Sequence, residues 1–400
     1  MSAEIGVTGP LSTARRVAGW LRPAWVEVDL GAVTANVAHI CEVVAPAGIC
    51  AVVKAHGYGH GAVRVASAAL AGGAAQLGVA LAEEGHELRQ AGIDVPVLIL
   101  SEPPVEAMSL VVEDGLTPSI YTGKGLSALI EAVKANVPAK FGTVPRPVPV
   151  HLKVDTGMHR VGATPDAVID LARVVAAEPT LRLEGLFTHL AVADEPESSF
   201  TGDQLARFNA VVRTLAAEGI VPPVLHAANS AGALCHPGAR YQMVRPGIAV
   251  YGLAPAPALA SDPVVRRLRP ALSLKAAVSY VKEVEAGERL SYGLRYRLPE
   301  RSVIATVPVG YADGVPRQLF QAGGEVLIGG RRHPVAGAVT MDQLLVDCGP
   351  GAAVQCGDEV VLLGRQGDEE VTPWEWAERL GTIAYEVTCA LSPRLPRIYV

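Results

Sequence analysis

Cys50-Ala-Val-Val-Lys54 is an apolar run that ends in a lysine. The glycine-rich loop Ala55-His-Gly-Tyr-Gly-His-Gly61 and the alanine-rich window Ala62–Ala71 follow it. An apolar run, a loop and a helix-like window together predict one strand–loop–helix unit. The run is apolar at every position before Lys54, so both faces of the strand are predicted to be buried, as in a parallel sheet covered by helices. No G-x-G-x-x-G sequence follows it, which disfavours a doubly wound dinucleotide-binding sheet.

The same unit recurs up to about residue 255, where short apolar runs alternate with helix-like windows. Such a series predicts an α/β fold with a (β/α)₈ barrel of the TIM type. The predicted strands are Cys50–Lys54, Leu77–Ala80, Val95–Leu100, Leu116–Ile120, Pro149–Val154, Leu183–Phe187, Val224–His226 and Ile248–Tyr251. The predicted helices include Ala62–Ala71, Ala82–Gln90, Gly125–Ala135, Asp166–Ala177 and Gln204–Ala217.

The sequence pattern changes after a proline- and alanine-rich stretch at residues 255–263, which we interpret as a linker. Beyond it, short β-rich runs with glycine turns predict a smaller, mainly β C-terminal domain. Thr372-Pro373 is a suitable cap and first residue for a helix over Trp374–Leu380. The β-rich runs are Leu272–Val284, Val303–Val309, Glu325–Ile328, Gln343–Val346 and Val360–Leu363. The predicted organisation is an N-terminal extension over residues 1–22, a barrel domain over 23–262 and a β domain over 263–400.

Composition narrows the class of protein. Half of the 400 residues are apolar and 18% are charged, which indicates a folded chain of two domains and not a disordered one. The net charge of -6 is mild, and Arg331-Arg332-His333 is too short a basic cluster to indicate a nucleic-acid partner. The first 22 residues lack the apolar core of a signal peptide, and no long uncharged apolar stretch indicates a membrane span. The six cysteines form no C-x-x-C pair, so we expect reduced thiols in a cytoplasmic protein.

In a barrel, reactive groups come from the C-terminal ends of the strands and from the loops that follow them. Lys54 stands at such an end. Partial burial lowers the pKa of a lysine and makes its amine a nucleophile for aldehydes, although a strand-end lysine that extends to water is the alternative. His56 and His60 are four residues apart, but they lie in a glycine-rich loop and not on a helix. We therefore expect no metal site.

Other strand ends carry polar groups as well. Lys153, Asp155 and Arg160 crowd the end of one predicted strand, as a functional cluster or as structural salt bridges. His189 follows the next strand. Asn229 and Ser230 offer short polar donors for a phosphate, although an ordinary helix cap explains them almost as well.

Four further residues stand out by their neighbours in the chain. Gly247 lets backbone N–H groups approach an anion closely. Arg245, just ahead of an apolar run, is predicted to be buried and partnered. Tyr292 and Tyr311 are each followed closely by glycine and, taken alone, are typical packing residues.

These segments together resemble the alanine racemase family, over nearly the whole chain from about Trp25 to the C-terminus. The motifs agree with the family in order and spacing. They are Val53-Lys-Ala-His-Gly-Tyr-Gly-His-Gly61, Lys153-Val-Asp-Thr-Gly157, Arg245-Pro-Gly-Ile-Ala-Val-Tyr-Gly-Leu253, Ser291-Tyr-Gly293, Gly310-Tyr-Ala-Asp-Gly314 and Met341-Asp-Gln343. The resemblance implies an isomerase that interconverts L- and D-alanine with pyridoxal 5'-phosphate (PLP), supplies D-alanine for peptidoglycan, and works as a homodimer with shared active sites.

The resemblance also implies a role for each matching residue. Lys54 bears PLP as a Schiff base and serves one face of the substrate, while Tyr292 of the partner subunit serves the other. Arg245 faces the pyridine nitrogen with support from His189, and Arg160 reaches the phenolic oxygen. Lys153 matches a position that is carbamylated in some relatives. The candidates for phosphate binding are Tyr58, Asn229, Ser230, Gly247, Ile248 and Tyr385. The candidates for substrate binding are Arg160, Tyr311, Met341 and Asp342.

Some positions depart from the family's usual pattern. They are Thr340, His159, Pro393 and Arg295, and none of them removes a catalytic group. Because residues at the entrance of a site decide which side chains are admitted, a racemase of serine or lysine stays open as an alternative. A PLP-dependent decarboxylase of the same architecture and a non-catalytic PLP-binding barrel also stay open. Arg245 and Tyr292 disfavour the decarboxylase, and the β domain disfavours the non-catalytic protein.

Overall fold

The computed structural model describes residues 21–136 and 147–400. The chain divides into two compact units. Gly31–Arg269 form the barrel unit, and Pro270–Val400 form the β unit together with the described residues that precede Gly31. This division differs from the predicted boundaries. The strand β1 (Ala24–Val28), predicted to lie in the barrel domain, pairs with strands of the β unit. The predicted N-terminal extension, residues 1–22, lies outside the described residues except for its last two positions.

The barrel unit contains a sheet of eight parallel strands. They are β2 (Gly48–Val52), β3 (Gln76–Val79), β4 (Val97–Ile99), β5 (Thr117–Ile120), β6 (Val148–Lys153), β7 (Leu181–Phe187), β8 (Val224–His226) and β9 (Met243–Val244). The strands follow each other in chain order, and β9 pairs with β2. Next to β8 and β9, Gln242 N donates to Leu225 O at 3.1 Å and Arg245 N donates to Ala228 O at 2.9 Å, which almost closes the ring. The predicted barrel is confirmed.

The prediction of the eighth strand is wrong in position. Ile248–Tyr251 form a 3₁₀ helix, and the strand is the shorter Met243–Val244. Within Ile248–Tyr251 the backbone bonds locally, with Val250 N donating to Gly247 O at 2.9 Å. All four residues of the 3₁₀ helix are buried. An apolar run that is buried on every side has the same pattern as a strand, so periodicity alone does not separate the two.

Helices separate the strands of the barrel and cover it. They are α1 (Leu30–Val44), α2 (Ala62–Ala71), α3 (Ala82–Gln90), α4 (Met108–Glu113), α5 (Gly123–Asn136), α6 (Pro165–Ala177), α7 (Phe200–Ala217) and α8 (Ser230–Cys235). All five predicted helices are present, with ends that differ by a few residues at most. The stretch at 255–263, predicted to be a linker, carries a 3₁₀ turn at Pro257–Leu259 and belongs to the barrel unit.

The β unit confirms the predicted mainly β character of the C-terminal part. Its strands are β1 (Ala24–Val28), β10 (Leu272–Ala277), β11 (Tyr280–Val284), β12 (Arg289–Leu290), β13 (Tyr296–Arg297), β14 (Ser302–Val307), β15 (Glu325–Ile328), β16 (Arg331–Pro334), β17 (Leu344–Asp347), β18 (Glu359–Gln366), β19 (Glu369–Val371) and β20 (Arg397–Tyr399). The main sheet has the order β16-β15-β18-β10-β1-β20, with β19 paired to β18. A second sheet has the order β11-β14-β17, and β12 pairs with β13.

Two helices, α9 (Pro373–Leu380) and α10 (Ala384–Cys389), complete the β unit. The Thr372 hydroxyl accepts the N–H of Glu375 at 3.0 Å, as predicted for a cap ahead of Pro373. The short basic cluster at β16 is ion-paired, since Arg332 contacts Glu325, Glu369 and Glu375. Among the described residues, none of the helices combines the length and the apolar character needed to cross a lipid bilayer.

Candidate active site

Lys54 lies two residues after the end of β2, where the chain makes a left-handed turn. Ala55, His56 and Gly57 have φ/ψ values of 51/52°, 53/45° and 60/47°, and Tyr58 has a φ of 51°. Only glycine adopts this conformation freely, and each other residue in a left-handed helix costs about 1–2 kcal/mol. Three non-glycine residues here therefore cost about 3–6 kcal/mol, by simple addition of that value. Strain of this size persists only where surrounding contacts hold it, and it is concentrated at functional sites.

Tyr58, the last residue of the turn, is buried next to Gly247. A methyl group on Gly247 would overlap the Tyr58 hydroxyl oxygen and lie 3.0 Å from Tyr58 Cζ. The Tyr58 ring also packs against the ring of Tyr251, with centroids 4.8 Å apart. Ser230, at the start of α8, accepts the N–H groups of Gly247 at 2.9 Å and Ala249 at 3.3 Å through its hydroxyl oxygen. This arrangement leaves the hydroxyl hydrogen of Ser230 as a donor for another group.

Arg245 is a buried cation at the end of β9, with 3% of its surface exposed. Its guanidinium donates to the backbone oxygens of Thr188 at 2.8 Å and Ala227 at 3.0 Å. It also lies 3.3 Å from His189 Nδ1. Burial lowers the pKa of Arg245 to about 10, so the group stays charged at neutral pH.

A chain of two histidines continues from Arg245 into the barrel. Arg245 Nη1 lies 2.7 Å from His226 Nδ1, and His226 Nε2 lies 2.8 Å from His151 Nδ1. Since a guanidinium only donates, His226 Nδ1 accepts and its Nε2–H donates to His151. Burial and the charge of Arg245 lower the pKa of His151 to about 3 and that of His226 well below its usual range. Both rings are therefore neutral, and each has a fixed tautomer.

Phe187 fills the space beneath these groups. Its ring stacks on that of His226, with centroids 4.6 Å apart and planes 7° from parallel. The Arg245 guanidinium and the Lys153 ammonium lie 5.0 and 5.2 Å from the same ring centroid. A wall of this kind removes water from one side of both cations.

Lys153 is 4% exposed and donates to Leu100 O at 3.1 Å. Burial, with the charges of Arg245, Arg160 and Lys54, lowers the pKa of Lys153 from 10.5 to about 7. Burial, together with the charges of Arg245, Arg160, Lys153 and Lys54, also lowers the pKa of His189 well below its usual range. Three cations, Lys54, Arg160 and Arg245, thus act on Lys153 and His189 at one end of the barrel, and such a site favours an anionic ligand.

The loop between Lys153 and Arg160 is fixed by Asp155. This carboxylate accepts the N–H groups of Gly157 at 2.9 Å and His159 at 3.1 Å, and its other oxygen lies 3.2 Å from His159 Nδ1. His159 has a φ of 55° and an exposed side chain. Partial burial would raise the pKa of Asp155, but these N–H groups outweigh that effect and lower the pKa below its usual value. These contacts hold His159 in the loop with its side chain exposed.

The predicted residues of the C-terminal part meet in the β unit. Tyr292, Tyr311, Met341 and Asp342 line a cavity of about 580 Å³, together with Arg317, Val339, Thr340 and Gln343. The first three are exposed by 70%, 41% and 52%. Asp342 pairs with Arg394 at 2.7 Å. Tyr385 lies apart from this lining, on α10.

The loop that presents Tyr292 has its own constraints. Ser291 has a φ of 59°, and its hydroxyl donates to Ala338 O at 2.6 Å. A methyl group on Gly337 would lie 2.8 Å from Ser291 Cβ. These contacts hold the residue before Tyr292 in place and leave the phenol exposed.

Within the barrel unit, the structure places Lys54, Tyr58, Lys153, His189, Ser230, Arg245, Gly247 and Ile248 at the ends of the strands or in the loops that follow them. Asn229 has the alternative role that its sequence allowed. Its side-chain oxygen caps α8 by accepting the N–H of Gly232 at 3.0 Å, and its amide nitrogen lies 3.5 Å from Leu190 O.

The histidine pair of the glycine-rich loop is divided between surface and interior, since His56 is exposed while His60 is buried. In the described part of the chain, no group of three or more His, Cys, Asp or Glu side chains is arranged to hold a metal ion.

His151 and His226 were not predicted from the sequence as partners of Arg245. A signal for His151 was present, because it precedes Lys153 by two residues and so shares the same face of β6. No local signal joins His226 to it, since the two are 75 residues apart.

Comparison with known proteins agrees with these features. A family model described as the alanine racemase N-terminal domain matches residues 28–255, and one described as the alanine racemase C-terminal domain matches residues 271–399. An alanine racemase of Symbiobacterium thermophilum is 48% identical over 379 residues, which are 95% of this chain and 97% of that protein.

Solved structures are similar over the same length. The alanine racemase of E. faecalis is 41% identical with a TM-score of 0.88, covering 96% of this chain and 100% of that one. The alanine racemase of Bacillus anthracis, solved with bound L-Ala-P, is 39% identical with a TM-score of 0.87, and the match covers 96% of each chain. Both domain models and these relatives cover nearly the whole described chain, and the chain therefore belongs to the alanine racemase family.

Proposed function

We propose that the chain interconverts L- and D-alanine with PLP as its cofactor. The observation that carries this proposal is the cluster of Lys54, Arg160 and Arg245, three cations around Lys153 at one barrel end beside Tyr58 and Gly247. A lysine in such a place suits an aldehyde, and the surrounding positive charge suits a phosphate.

The residues present fit the phosphate of PLP. Because Gly247 has no side chain, the Tyr58 hydroxyl can lie where a Cβ would overlap it, close to the backbone at Gly247. Ser230 uses its oxygen to accept backbone N–H groups and keeps its hydrogen to donate. We assign the phosphate to Tyr58, Ser230 and the backbone at Gly247 and Ile248, with Tyr385 as a further donor. When bound, PLP withdraws electrons from the substrate Cα and so acidifies its C–H bond.

Arg245 supports racemisation over other PLP reactions. We assign its guanidinium to the pyridine nitrogen, where it donates a hydrogen bond and keeps its own proton, because its pKa of about 10 lies well above neutral. By donating without giving up its proton, Arg245 would leave that nitrogen unprotonated, which would favour prompt return of a proton to the substrate Cα. His226 and His151, both neutral, fix the guanidinium by accepting in series.

With one base on each face of the substrate, the configuration at Cα can be inverted although the substrate does not turn over in the site. The Lys54 amine would take a proton from Cα or return one on one face of the substrate. The Tyr292 phenol does the reverse on the other face, so each turnover moves one proton off Cα and one onto it. The reaction is balanced without any other reactant.

We assign Tyr292, Tyr311, Met341 and Asp342 to the active site of a second copy of the chain, in a homodimer with two shared sites. Support comes from the surface of the β unit. Two tyrosines and a methionine are exposed around one cavity, which is typical of residues covered in an assembly. Arg160 and this group would hold the substrate carboxylate and limit its side chain.

Lys153 is proposed to be carbamylated. With a pKa of about 7, roughly half of its amine is neutral at pH 7. The neutral amine adds to CO₂, forms an N–C bond and releases one proton, which leaves a carboxylate on the side chain. This anion would stand beside Arg160 and Arg245, whose charges it offsets.

The proposed role is the supply of D-alanine for peptidoglycan in the cytoplasm, with small amino acids as substrates and without nucleic-acid or membrane partners. No disulfide joins any of the six cysteines, all of which lie in the described part of the chain, in keeping with a reducing compartment. The Bacillus anthracis relative bound to L-Ala-P supports alanine as the substrate.

Circular dichroism of L-alanine incubated with the holoenzyme tests the proposal. We expect the signal to decay to zero, and a panel of other L-amino acids to be racemised more slowly. Lys54→Ala is the control that lacks the amine. An unchanged alanine signal with the wild type, under conditions where PLP is bound, would contradict the proposal.

Tyr292→Phe tests the second base. This variant should lose most of its racemisation rate and keep its PLP, because the phenol binds no part of the cofactor in our assignment. Full rates in both directions for the Tyr292→Phe variant would contradict the two-base mechanism.

A further inference from the structure

We propose that Glu84 is a positioning residue for Lys54, acting through the left-handed turn that follows it. The proposal rests on the function assigned above, and it adds a residue that the resemblance and the mechanism do not use. Glu84 lies in the first turn of α3, 29 residues from the turn it contacts. Its side chain is half-buried.

The two oxygens of Glu84 have separate partners. Oε1 accepts the N–H of Ala55 at 2.6 Å. Oε2 accepts the N–H groups of Ala80 at 2.8 Å and Leu81 at 3.2 Å, at the start of α3. One carboxylate therefore fixes the end of β3 and the beginning of the turn at the same time.

The Ala55 N–H needs such a partner because of where it stands. Inside the turn, the later N–H groups bond to backbone oxygens, with Gly57 N donating to Val53 O and Gly59 N to Ala55 O. The first N–H of any helical turn lacks a partner within the turn, and its positive end favours a negative charge. Glu84 supplies both the acceptor and the charge at the residue directly after Lys54.

The conformation at Ala55 makes this contact matter for Lys54. Alanine at a φ of 51° is strained, and the other residues of the turn share the strain. Without the carboxylate, the turn would relax toward negative φ, and the backbone of Lys54 would rotate with it. The Lys54 amine would then reach the aldehyde of PLP less often.

A charge-matched pair of variants tests the inference in the holoenzyme. Glu84→Gln keeps the shape of the side chain but replaces one carboxylate oxygen with an NH₂ group, which cannot accept a hydrogen bond. Either the N–H of Ala55 or the N–H groups of Ala80 and Leu81 then lose their acceptor. Glu83→Gln removes the same charge at an exposed position of the same helix. The measurement is the Kd of PLP, obtained by dilution and ultrafiltration. For Glu84→Gln we expect this Kd to rise about tenfold, because a charge-assisted hydrogen bond is lost. For Glu83→Gln we expect it to stay unchanged.

A second measurement separates positioning from a merely structural cap on α3. Ala55→Gly relieves the strain at the turn and leaves α3 untouched, so it should restore most of the PLP affinity in the Glu84→Gln background. Ala55→Val, at an exposed position, should weaken PLP binding with Glu84 intact, because a β-branched residue resists positive φ. This variant gives an answer even if Glu84→Gln does not fold.

The outcomes distinguish this inference from the proposed function. If the wild type binds no PLP, the proposed function fails. If the wild type binds PLP and Glu84→Gln binds it equally well, or if Ala55→Gly gives no rescue, the positioning role of Glu84 is wrong. Faster amide hydrogen exchange over residues 54–59 in Glu84→Gln than in Glu83→Gln is the expected supporting result.

Discussion

Gly247→Ala should weaken PLP binding by displacing Tyr58. The added methyl group would overlap the Tyr58 hydroxyl and sit 3.0 Å from its Cζ, against about 3.5–4.0 Å for an ordinary carbon contact. The tyrosine ring cannot simply turn away, since it is 8% exposed and packs on Tyr251. Overpacking of this kind costs about 1–3 kcal/mol. If the strain is released by giving up the phosphate contacts, PLP affinity falls by about tenfold to a hundredfold.

The assay is the Kd of PLP in the full-length protein, followed through the absorbance of the bound cofactor. Gly48→Ala is the matched control, because a methyl group there would lie 3.7 Å from Gln242 O, an ordinary contact. Tyr58→Phe alone should also weaken binding by removing one donor. In the double variant, the missing hydroxyl relieves the overlap, so the combined loss should be smaller than the sum of the two single losses. Strictly additive losses would contradict the steric explanation.

The structure makes three further predictions, on the stability of both units. Because the pKa of Lys153 is lower in the folded chain than in the unfolded chain, the unfolded chain binds more protons between about pH 7 and pH 10.5. The free-energy cost of burying the Lys153 ammonium is therefore full below pH 7 and disappears as the pH rises through this range. In CO₂-free buffer, where Lys153 is a free amine, Lys153→Met should therefore raise the free energy of unfolding in urea by at most about 5 kcal/mol at pH 6 and by little above pH 10.5. A gain that does not change with pH would contradict this. His226→Leu should lower the free energy of unfolding by about 1–3 kcal/mol and reduce racemisation, because the buried Arg245 and His151 each lose a partner; an unchanged urea midpoint would rule this out. Thr372→Ala should lower the free energy of unfolding, measured by thermal unfolding, by about 1 kcal/mol without a change in racemisation rate, since it removes the cap of α9, a helix that carries none of the assigned site residues.

The alternation of apolar runs and helix-like windows was sufficient to predict the barrel, because each strand–loop–helix unit is a local pattern. Val224–His226 and Ala62–Ala71 were predicted with their observed ends. The errors came where a short segment has no periodicity of its own. Met243–Val244 is only two residues long, and the neighbouring Ile248–Tyr251 has the stronger apolar pattern although it forms a 3₁₀ helix.

The domain boundary has no local signal either. Ala24–Val28 precedes the barrel in the chain but pairs with β10 and β20, which come more than two hundred residues later. Which strands pair is decided by the sheet edges that meet in the folded chain, and the local sequence of Ala24–Val28 does not specify them.

Local sequence alone specified the chemistry of the site: a lysine at a strand end, a glycine where a phosphate must approach, and an arginine ahead of an apolar run. A residue type and its immediate neighbours define each of these features. How the groups are held depends on the folded chain. The left-handed turn after Lys54 goes against the preference of alanine, histidine and tyrosine, and a carboxylate 29 residues away holds its first N–H. Arg245 is fixed by His226 and His151, which the barrel brings together from distant strands. Such contacts depend on the register of strands far apart in the chain, and no local pattern encodes that register.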